Sequence, residues 1–266
     1  MTPQDHAKAA KALIRAEETG QQIGLLTRQF PEMTMDDAYG IQGALIQSKL
    51  TAGRRVIGWK IGLTSRAMQS ALGIDIPDSG VLLDDMLFET GAAVPEGRYI
   101  QPRIEAEIAF VMKAPLSGKN INRADVIAAT DHVAPVLEIL DTRIMRVDPE
   151  TGRPRTVLDT ISDNAANAGL VLGSERHAVD AQDLRWVGAI ISRDGVVEET
   201  GLGAGVLNDP VESVVWLARR MAGYGQRIEP GQIILSGSFI RPVECPSGAR
   251  IHADFGPFGT VDITFE

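Results

Sequence analysis

Cysteine is almost absent from this chain, since Cys245 is the one cysteine in 266 residues. A single thiol excludes an internal disulfide framework and a zinc site built from cysteines. Long apolar runs are also missing, because none approaches the roughly 20 residues that a membrane-spanning helix needs. The opening segment, MTPQDHAKAAKALIRAEE, is charged and lacks the apolar stretch of a secretory signal. We therefore expect a soluble cytoplasmic protein with no membrane partner.

Positive charge is in short supply. The chain has 26 lysines and arginines against 35 acidic residues, which gives a net charge of −9 and a pI near 5.0. This balance argues against a nucleic-acid partner, which requires a basic surface. It also means that an anionic substrate must meet a local concentration of positive charge. A bound cation would supply that charge.

Complete nucleotide-binding motifs are missing too. Gly201, Gly203 and Gly205 follow a strand-like segment and precede a helix-like one, as in a dinucleotide-binding turn. The motif requires a further glycine at position 206, where Val206 stands. No phosphate-binding loop of the Walker type occurs. The sequence therefore offers no complete dinucleotide-binding or triphosphate-binding motif.

The first 50 residues are typical of helices. Apolar residues recur at helical spacing through 7–26, and a second helix is expected to begin at Thr34 and to end near Gly53. Further helices are expected around 122–131 and 210–222, the latter capped by Asn208 or Asp209.

Beyond residue 55 short apolar or alternating segments dominate, as in β-strands. These segments are VIGWKIGL, IEAEIAFVM, APVLEIL, GLVLG, RWVGAIISRDG, QIILSGSF and VDITFE. The prediction is an α+β fold, with a helical N-terminal region (1–55) packed on a β-rich catalytic core (56–266).

Three carboxylates are the strongest chemical signal. Glu105 and Glu107 are two apart in a strand-like segment and should share one face. Taken alone, this pattern more often marks a solvated face. Glu138 lies within an aliphatic run, where a carboxylate is either an exposed edge position or a buried ligand. Three carboxylates without cysteine would specify hard oxygen ligation, hence Mg²⁺ or Mn²⁺.

Lys60, Asp78 and Ser162 are further candidates, each with a plain structural alternative. Lys60 interrupts an apolar run, and such a lysine usually extends its ammonium group to water. If it faces the acids instead, it would bind a substrate oxygen or transfer a proton. Asp78 follows Pro77 in a turn-like segment, and Ser162 lies in a polar loop.

Four segments together resemble the hydratase and decarboxylase branch of the fumarylacetoacetate hydrolase superfamily. They are Gly58-Trp-Lys60-Ile-Gly-Leu-Thr-Ser65, Pro77-Asp78-Ser-Gly-Val-Leu-Leu-Asp84-Asp85-Met86, Ile104-Glu-Ala-Glu107 and Asp159-Thr-Ile-Ser162-Asp-Asn-Ala-Ala-Asn-Ala-Gly169. The resemblance implies a mixed β-sandwich or roll core and a homo-oligomer. It also implies Mg²⁺, or Mn²⁺, on Glu105, Glu107 and Glu138. Lys60 would lie beside the bound 2-oxo acid, and Asp78 and Ser162 would line its pocket.

The segment Gly237-Ser-Phe-Ile-Arg241-Pro242 is similar to that of branch members that hydrate a seven-carbon dioate. The resemblance thus implies water addition to a small unsaturated 2-oxo dicarboxylate in aromatic-compound catabolism. Arg241 is the candidate for the distal carboxylate, with Arg103, Arg143, Arg146 and Arg155 as alternatives. Decarboxylation of a 2-oxo dioate, hydration of a five-carbon dienoate, carbon–carbon bond hydrolysis and a non-catalytic metal-binding role remain open alternatives.

Overall fold

The computed structural model describes residues 1–66, 69–70, 74 and 76–266. The α-helices with defined bounds are α1 Pro3–Thr19, α2 Leu26–Gln29, α3 Met35–Thr51, α4 Arg123–Ala129, α5 Val157–Ser162 and α6 Pro210–Gly223. The strands are β1 Val56–Gly62, β2 Asp78–Leu83, β3 Leu87–Glu89, β4 Ala92–Val94, β5 Arg103–Met112, β6 Thr130–Leu140, β7 Asn167–Leu172, β8 Gly188–Arg193, β9 Val196–Leu202, β10 Ile233–Leu235, β11 Val243–Glu244, β12 Arg250–Asp254 and β13 Thr260–Phe265. Helices and mixed sheets thus confirm an α+β protein.

Side-chain caps fix the helix ends. The hydroxyl of Thr34 accepts a hydrogen bond from the Asp37 backbone, and α3 begins there as predicted. Asp209, rather than Asn208, caps α6 by accepting from the Val211 backbone. The first helix differs from the prediction, because Gly20 adopts a left-handed conformation (φ 68°) and ends α1 well before residue 26.

The strands form two sheets. The larger has the order β2-β1-β10-β5-β6-β7-β3, with β11 pairing beside β5, and the smaller has the order β4-β13-β12-β8-β9. Within the larger sheet β1–β10 and β3–β7 are parallel, and the other pairs are antiparallel. The predicted turn at Asp78 is wrong, because this residue begins β2.

The two faces of β5 have different surroundings. Ile104, Ala106, Ile108 and Phe110 are fully buried in a hydrophobic core that also contains apolar residues of β12 and β13. Residues of opposite parity, which include Glu105 and Glu107, project from the other face. The sheet therefore buries one side of β5 against apolar partners and leaves its carboxylates on the other side.

The N-terminal helices form their own apolar cluster with residues of α5. Gln42 on α3 donates hydrogen bonds to the carbonyl oxygens of Ser79 on β2 and Ile161 on α5. Helix α3 thereby contacts β2, the edge strand of the larger sheet. The division into 1–55 and 56–266 stays a prediction. Within the described ranges no helix is long and apolar enough to cross a membrane.

Candidate functional site

Three carboxylates converge on the face of the larger sheet that lies opposite its apolar core. Glu105 and Glu107 project from β5, and Glu138 on β6 is the direct cross-strand partner of Glu105. One oxygen from each of the three lies within 4.8 Å of the others. Glu107 and Glu138 are completely buried, whereas Glu105 is half-buried.

The cluster is electrostatically costly by itself. Burial, followed by the charge of Glu138, raises the pKa of Glu105 to about 8. Burial, followed by the charges of Glu138 and Glu105, raises the pKa of Glu107 well above its usual range. Glu107 Oε1 and Glu138 Oε2 are buried without a hydrogen-bond partner among the described residues. Like charges with free oxygens fit a shared divalent cation, which would reverse their repulsion.

Lys60 faces these acids and does not extend to water. Its Nζ lies 3.6 Å from Glu138 Oε1 and 3.8 Å from Asp78 Oδ1, and its side chain is 5% exposed. Burial alone would lower the pKa of Lys60, but the surrounding carboxylates outweigh burial and raise it. The group is therefore a buried ammonium ion held by charge.

Asp78 enters the cluster because β2 pairs antiparallel with β1, which places it opposite Gly62. Burial raises the pKa of Asp78, although Lys60 and the Gly62 backbone N–H pull it down. Asp78 Oδ1 accepts no hydrogen bond from the described residues. A Cβ at position 62 would lie 2.2 Å from that oxygen, so only glycine leaves room for the carboxylate.

Gly237 contacts the carboxylate cluster, although its sequence segment gives it no predicted role. Its backbone N–H donates a 2.6 Å hydrogen bond to Glu107 Oε2. The residue has a φ of 111°, and a Cβ there would lie 2.3 Å from Thr64 Oγ1. Both facts favour glycine, because it alone adopts this backbone conformation without strain and fits against Thr64.

Asn167 was missed by sequence reasoning. Its side-chain Nδ2 donates a 2.7 Å hydrogen bond to Glu138 Oε1, and the residue is fully buried. Asn167 lies in the Asp159–Gly169 segment that carries the family resemblance, and this was the signal in the sequence that could have indicated it. The neighbouring backbone is fixed by the buried pair of Arg143 and Asp163, because Arg143 also donates to the carbonyl oxygen of Asn167.

Two predicted substrate-binding residues lie apart from these contacts. Ser162 is buried, and its hydroxyl donates to the Leu158 carbonyl oxygen within α5. Arg241 has an 80% exposed side chain whose Nη2 lies 2.6 Å from Glu199 Oε1 on β9. The structure thus brings together Lys60, Asp78, Glu105, Glu107 and Glu138. The roles of Ser162 and Arg241 stay predictions.

Comparison with known proteins places this cluster in a family context. The chain is 49% identical over 260 residues to 2-oxo-hept-4-ene-1,7-dioate hydratase of Escherichia coli, covering 98% of this chain and 97% of the relative. It is 40% identical to 2-keto-4-pentenoate hydratase of Paraburkholderia xenovorans (strain LB400), over 100% of this chain and 97% of the relative. No family model matches the chain.

Solved structures agree with these relatives. The 4-oxalocrotonate decarboxylase from Pseudomonas putida G7, complexed with magnesium and adipate, superposes with a TM-score of 0.93 at 33% identity, over 100% of this chain and 99% of that one. Fumarylpyruvate hydrolase from Pseudomonas aeruginosa, at 16% identity and a TM-score of 0.58 over 78% of this chain and 88% of that one, shares the fold alone. The chain therefore belongs to the hydratase and decarboxylase branch of the fumarylacetoacetate hydrolase superfamily.

Proposed function

We propose that this protein is a magnesium-dependent hydratase that converts 2-oxo-hept-4-ene-1,7-dioate into 4-hydroxy-2-oxoheptane-1,7-dioate. The net reaction adds one water, with a hydroxyl at C4 and a hydrogen at C5 of the product, so it needs no oxidant or reductant. The observation that carries the proposal is a buried Lys60 ammonium beside a cluster of three carboxylates, in which Glu107 and Glu138 each have an oxygen without a hydrogen-bond partner among the described residues. Near-complete alignment with a relative named for this reaction supports the choice of substrate.

Glu105, Glu107 and Glu138 would hold the metal. All three offer oxygen donors, which suit Mg²⁺ and also Mn²⁺, and the unpaired Glu107 Oε1 and Glu138 Oε2 are available for ligation. When bound, the cation supplies positive charge that stabilises negative charge on the 2-oxo group of the substrate. It would also relieve the repulsion that raises the pKa values of Glu105 and Glu107.

The chain's own residues would position the substrate and move protons. Lys60 Nζ lies close to both Glu138 and Asp78, and it would donate a hydrogen bond or proton to a substrate oxygen. Asp78 Oδ1 is the matching acceptor, because it is buried and accepts no hydrogen bond from the described residues. The Gly237 N–H fixes Glu107, and burial limits competing reactions with bulk water.

Decarboxylation of a 2-oxo dioate is the second candidate. It is favoured by the close structural agreement with 4-oxalocrotonate decarboxylase. The same buried lysine and carboxylates would serve that reaction, so the site residues do not separate the two chemistries. Hydration of a five-carbon dienoate is a further alternative, supported by the similarity to 2-keto-4-pentenoate hydratase.

The decisive experiment is incubation of the purified protein and Mg²⁺ with 2-hydroxydienoates of five, six and seven carbons. Mass spectrometry of the products should show the gain of one water, with the seven-carbon dioate turned over most efficiently. Loss of CO₂ would establish the decarboxylase instead. A variant with Lys60 replaced by methionine controls for spontaneous reaction of the dienols.

We also propose that the protein has the mixed β-roll core of its superfamily, and that it works in the cytoplasm as a homo-oligomer. Strand β9 supports the oligomer, because it is an edge of the smaller sheet and exposes Val196, Val197 and Leu202. Unpaired apolar edges of this kind commonly pair with a second copy. Light scattering of the purified chain should give a mass of two or more times the 28.6 kDa of one chain, and a mass of one chain would contradict the oligomer.

A further inference from the structure

A seven-carbon dioate carries a second carboxylate far from the metal, and the substrate class proposed above makes this group the point of recognition. Arg241, the sequence-based candidate, is exposed and already paired with Glu199. We infer that Arg103 and Arg146 form the subsite for the distal carboxylate. This inference rests on the proposed function, and it names the residues that select dicarboxylates over monocarboxylates.

Arg103 lies next to the carboxylate cluster on β5. Arg103 begins the strand and lies two residues before Glu105, so the two side chains project from the same face. Two strand steps correspond to about 6.6 Å between Cα atoms. Arg103 is thus adjacent to the half-buried end of the carboxylate cluster, and its charge lowers the pKa of Glu105.

Both arginines have a nitrogen donor without a partner among the described residues. Arg103 Nε and Arg146 Nε are both buried without a hydrogen-bond partner in the described part of the chain. Both guanidinium groups approach the same oxygen, Glu244 Oε1, at 2.7 Å for Arg103 Nη2 and 3.7 Å for Arg146 Nη1. Glu244 has a 64% exposed side chain. Two cations therefore share one solvated carboxylate oxygen and retain donors for another anion.

Positive charge also supports the subsite. Burial and the repulsion of Arg103 and Arg155 lower the pKa of Arg146, despite the nearby acids Glu244 and Asp141. Arg155 is held close by a backbone hydrogen bond from its N–H to the Arg146 carbonyl oxygen. Arg103, Arg146 and Arg155 thus form a local cluster of positive charge on a chain whose net charge is −9. A second carboxylate would relieve it and use the planar donors of arginine.

Matched saturated ligands test the subsite without turnover. 2-Oxoheptane-1,7-dioate and 2-oxoheptanoate differ only in the distal carboxylate, and each is titrated calorimetrically into the Mg²⁺-loaded protein. Arg103→Gln and Arg146→Gln should each weaken dioate binding by about 10- to 150-fold, the range for a hydrogen bond to a charged group. Binding of the monoacid should not change.

Glu244→Gln should have the opposite effect on dioate binding. This variant removes the negative charge that both arginines contact, so the substrate carboxylate no longer competes with it. Dioate binding should tighten several-fold, and a merely structural role for Arg103 would not give that gain. Arg241→Ala tests the rival clamp. Selective loss of dioate binding in Arg241→Ala, with Arg103→Gln and Arg146→Gln unaffected, would overturn the inference.

Two further outcomes would also overturn it. Equal weakening of both ligands in Arg103→Gln would make the residue structural, and dioate binding that persists without Mg²⁺ would indicate a free anion site. The proposed function is judged separately, by whether the unmodified protein hydrates any dienoate.

Discussion

Asn167 holds Glu138 in place: its Nδ2 donates a 2.7 Å hydrogen bond to Glu138 Oε1 between two fully buried side chains. The bond occupies one carboxylate oxygen, while Oε2 has no hydrogen-bond partner in the part of the chain that the structure describes. Outer-shell partners orient metal ligands and tune their basicity, so Asn167 would support metal binding if Glu138 is a ligand as proposed.

The first prediction concerns this bond. Asn167→Leu should weaken Mg²⁺ binding by roughly 10- to 100-fold, the range for lost outer-shell partners. Asn167→Ser, which is small enough to admit a bridging water, should weaken it less. Calorimetric titration with Mg²⁺ checks both variants, and an unchanged affinity in Asn167→Leu would show that Glu138 needs no such support.

The second prediction concerns the three proposed ligands. Glu105→Gln, Glu107→Gln and Glu138→Gln should each weaken Mg²⁺ affinity by more than the roughly 10- to 100-fold expected for an outer-shell partner. Each variant should stay folded by circular dichroism, because removing one like charge relieves repulsion. Glu89→Gln, an exposed change on β3, is the matched control. If only one of the three variants binds Mg²⁺ more weakly, the ligand set has been misassigned.

The third prediction separates chemistry from metal binding. Lys60→Met should lower kcat by about 10²- to 10⁴-fold, the usual contribution of a positioned proton donor. Mg²⁺ affinity should hold or increase, because the ammonium competes with the metal for Glu138. Kinetics and calorimetry on the same preparation provide the check. A Lys60→Met protein that binds no Mg²⁺ would mean that the lysine is needed to assemble the site.

The fourth prediction is a pH dependence of stability in the metal-free protein. The pKa of Glu105 is about 8 in the fold against a reference value of 4.5, so the folded state holds a proton that the unfolded state releases. Stability from this group is therefore greatest at low pH and declines as pH rises from about 4.5 to about 8.

Urea unfolding in EDTA at several pH values measures this dependence. Glu105→Gln cannot release the proton, so its free energy of unfolding should decline less across the same range. Added Mg²⁺ should also flatten the profile, because the cation favours the ionised carboxylates. Identical profiles for the unmodified protein and Glu105→Gln would refute this account.

The fifth prediction uses two glycines. In Gly62→Ala, the new Cβ would lie 2.2 Å from Asp78 Oδ1 and 2.9 Å from Lys60 Nζ, so we expect a loss of activity that exceeds the loss of stability. Gly43→Ala on α3 meets nothing within 4 Å and should stabilise the protein by up to about 1 kcal/mol. Steady-state kinetics and thermal unfolding of both variants test the pair. Full activity in Gly62→Ala would show that Asp78 can move without consequence.

Much of this architecture could be read from local patterns. Thr34 and Asp209 begin α3 and α6 as their capping chemistry predicts. The period of a strand places Glu105 and Glu107 on one side of β5 whatever the strand pairs with. The family resemblance is confirmed along nearly the whole chain by the hydratase relatives.

Other features depended on contacts between distant segments. Lys60 had two possible surroundings, and only the β1–β2 pairing and the approach of Glu138 decide that it is buried among acids. Sequence spacing alone was uninformative for Asn167 and for the N–H of Gly237, since both act through residues far along the chain. The partner of Arg241 could not be predicted either, because Glu199 belongs to the other sheet.

The sequence by itself determined the types of the main elements, the acidic balance and the pairing of Glu105 with Glu107 on one face. These properties depend on backbone periodicity and composition, which act within a few residues. Tertiary structure decided that Glu138 is opposite Glu105, that Lys60 is buried, and which arginines have donors without a partner among the described residues. Strand register and burial are set by long-range packing, and a one-residue shift of β6 would turn Glu138 to the opposite face.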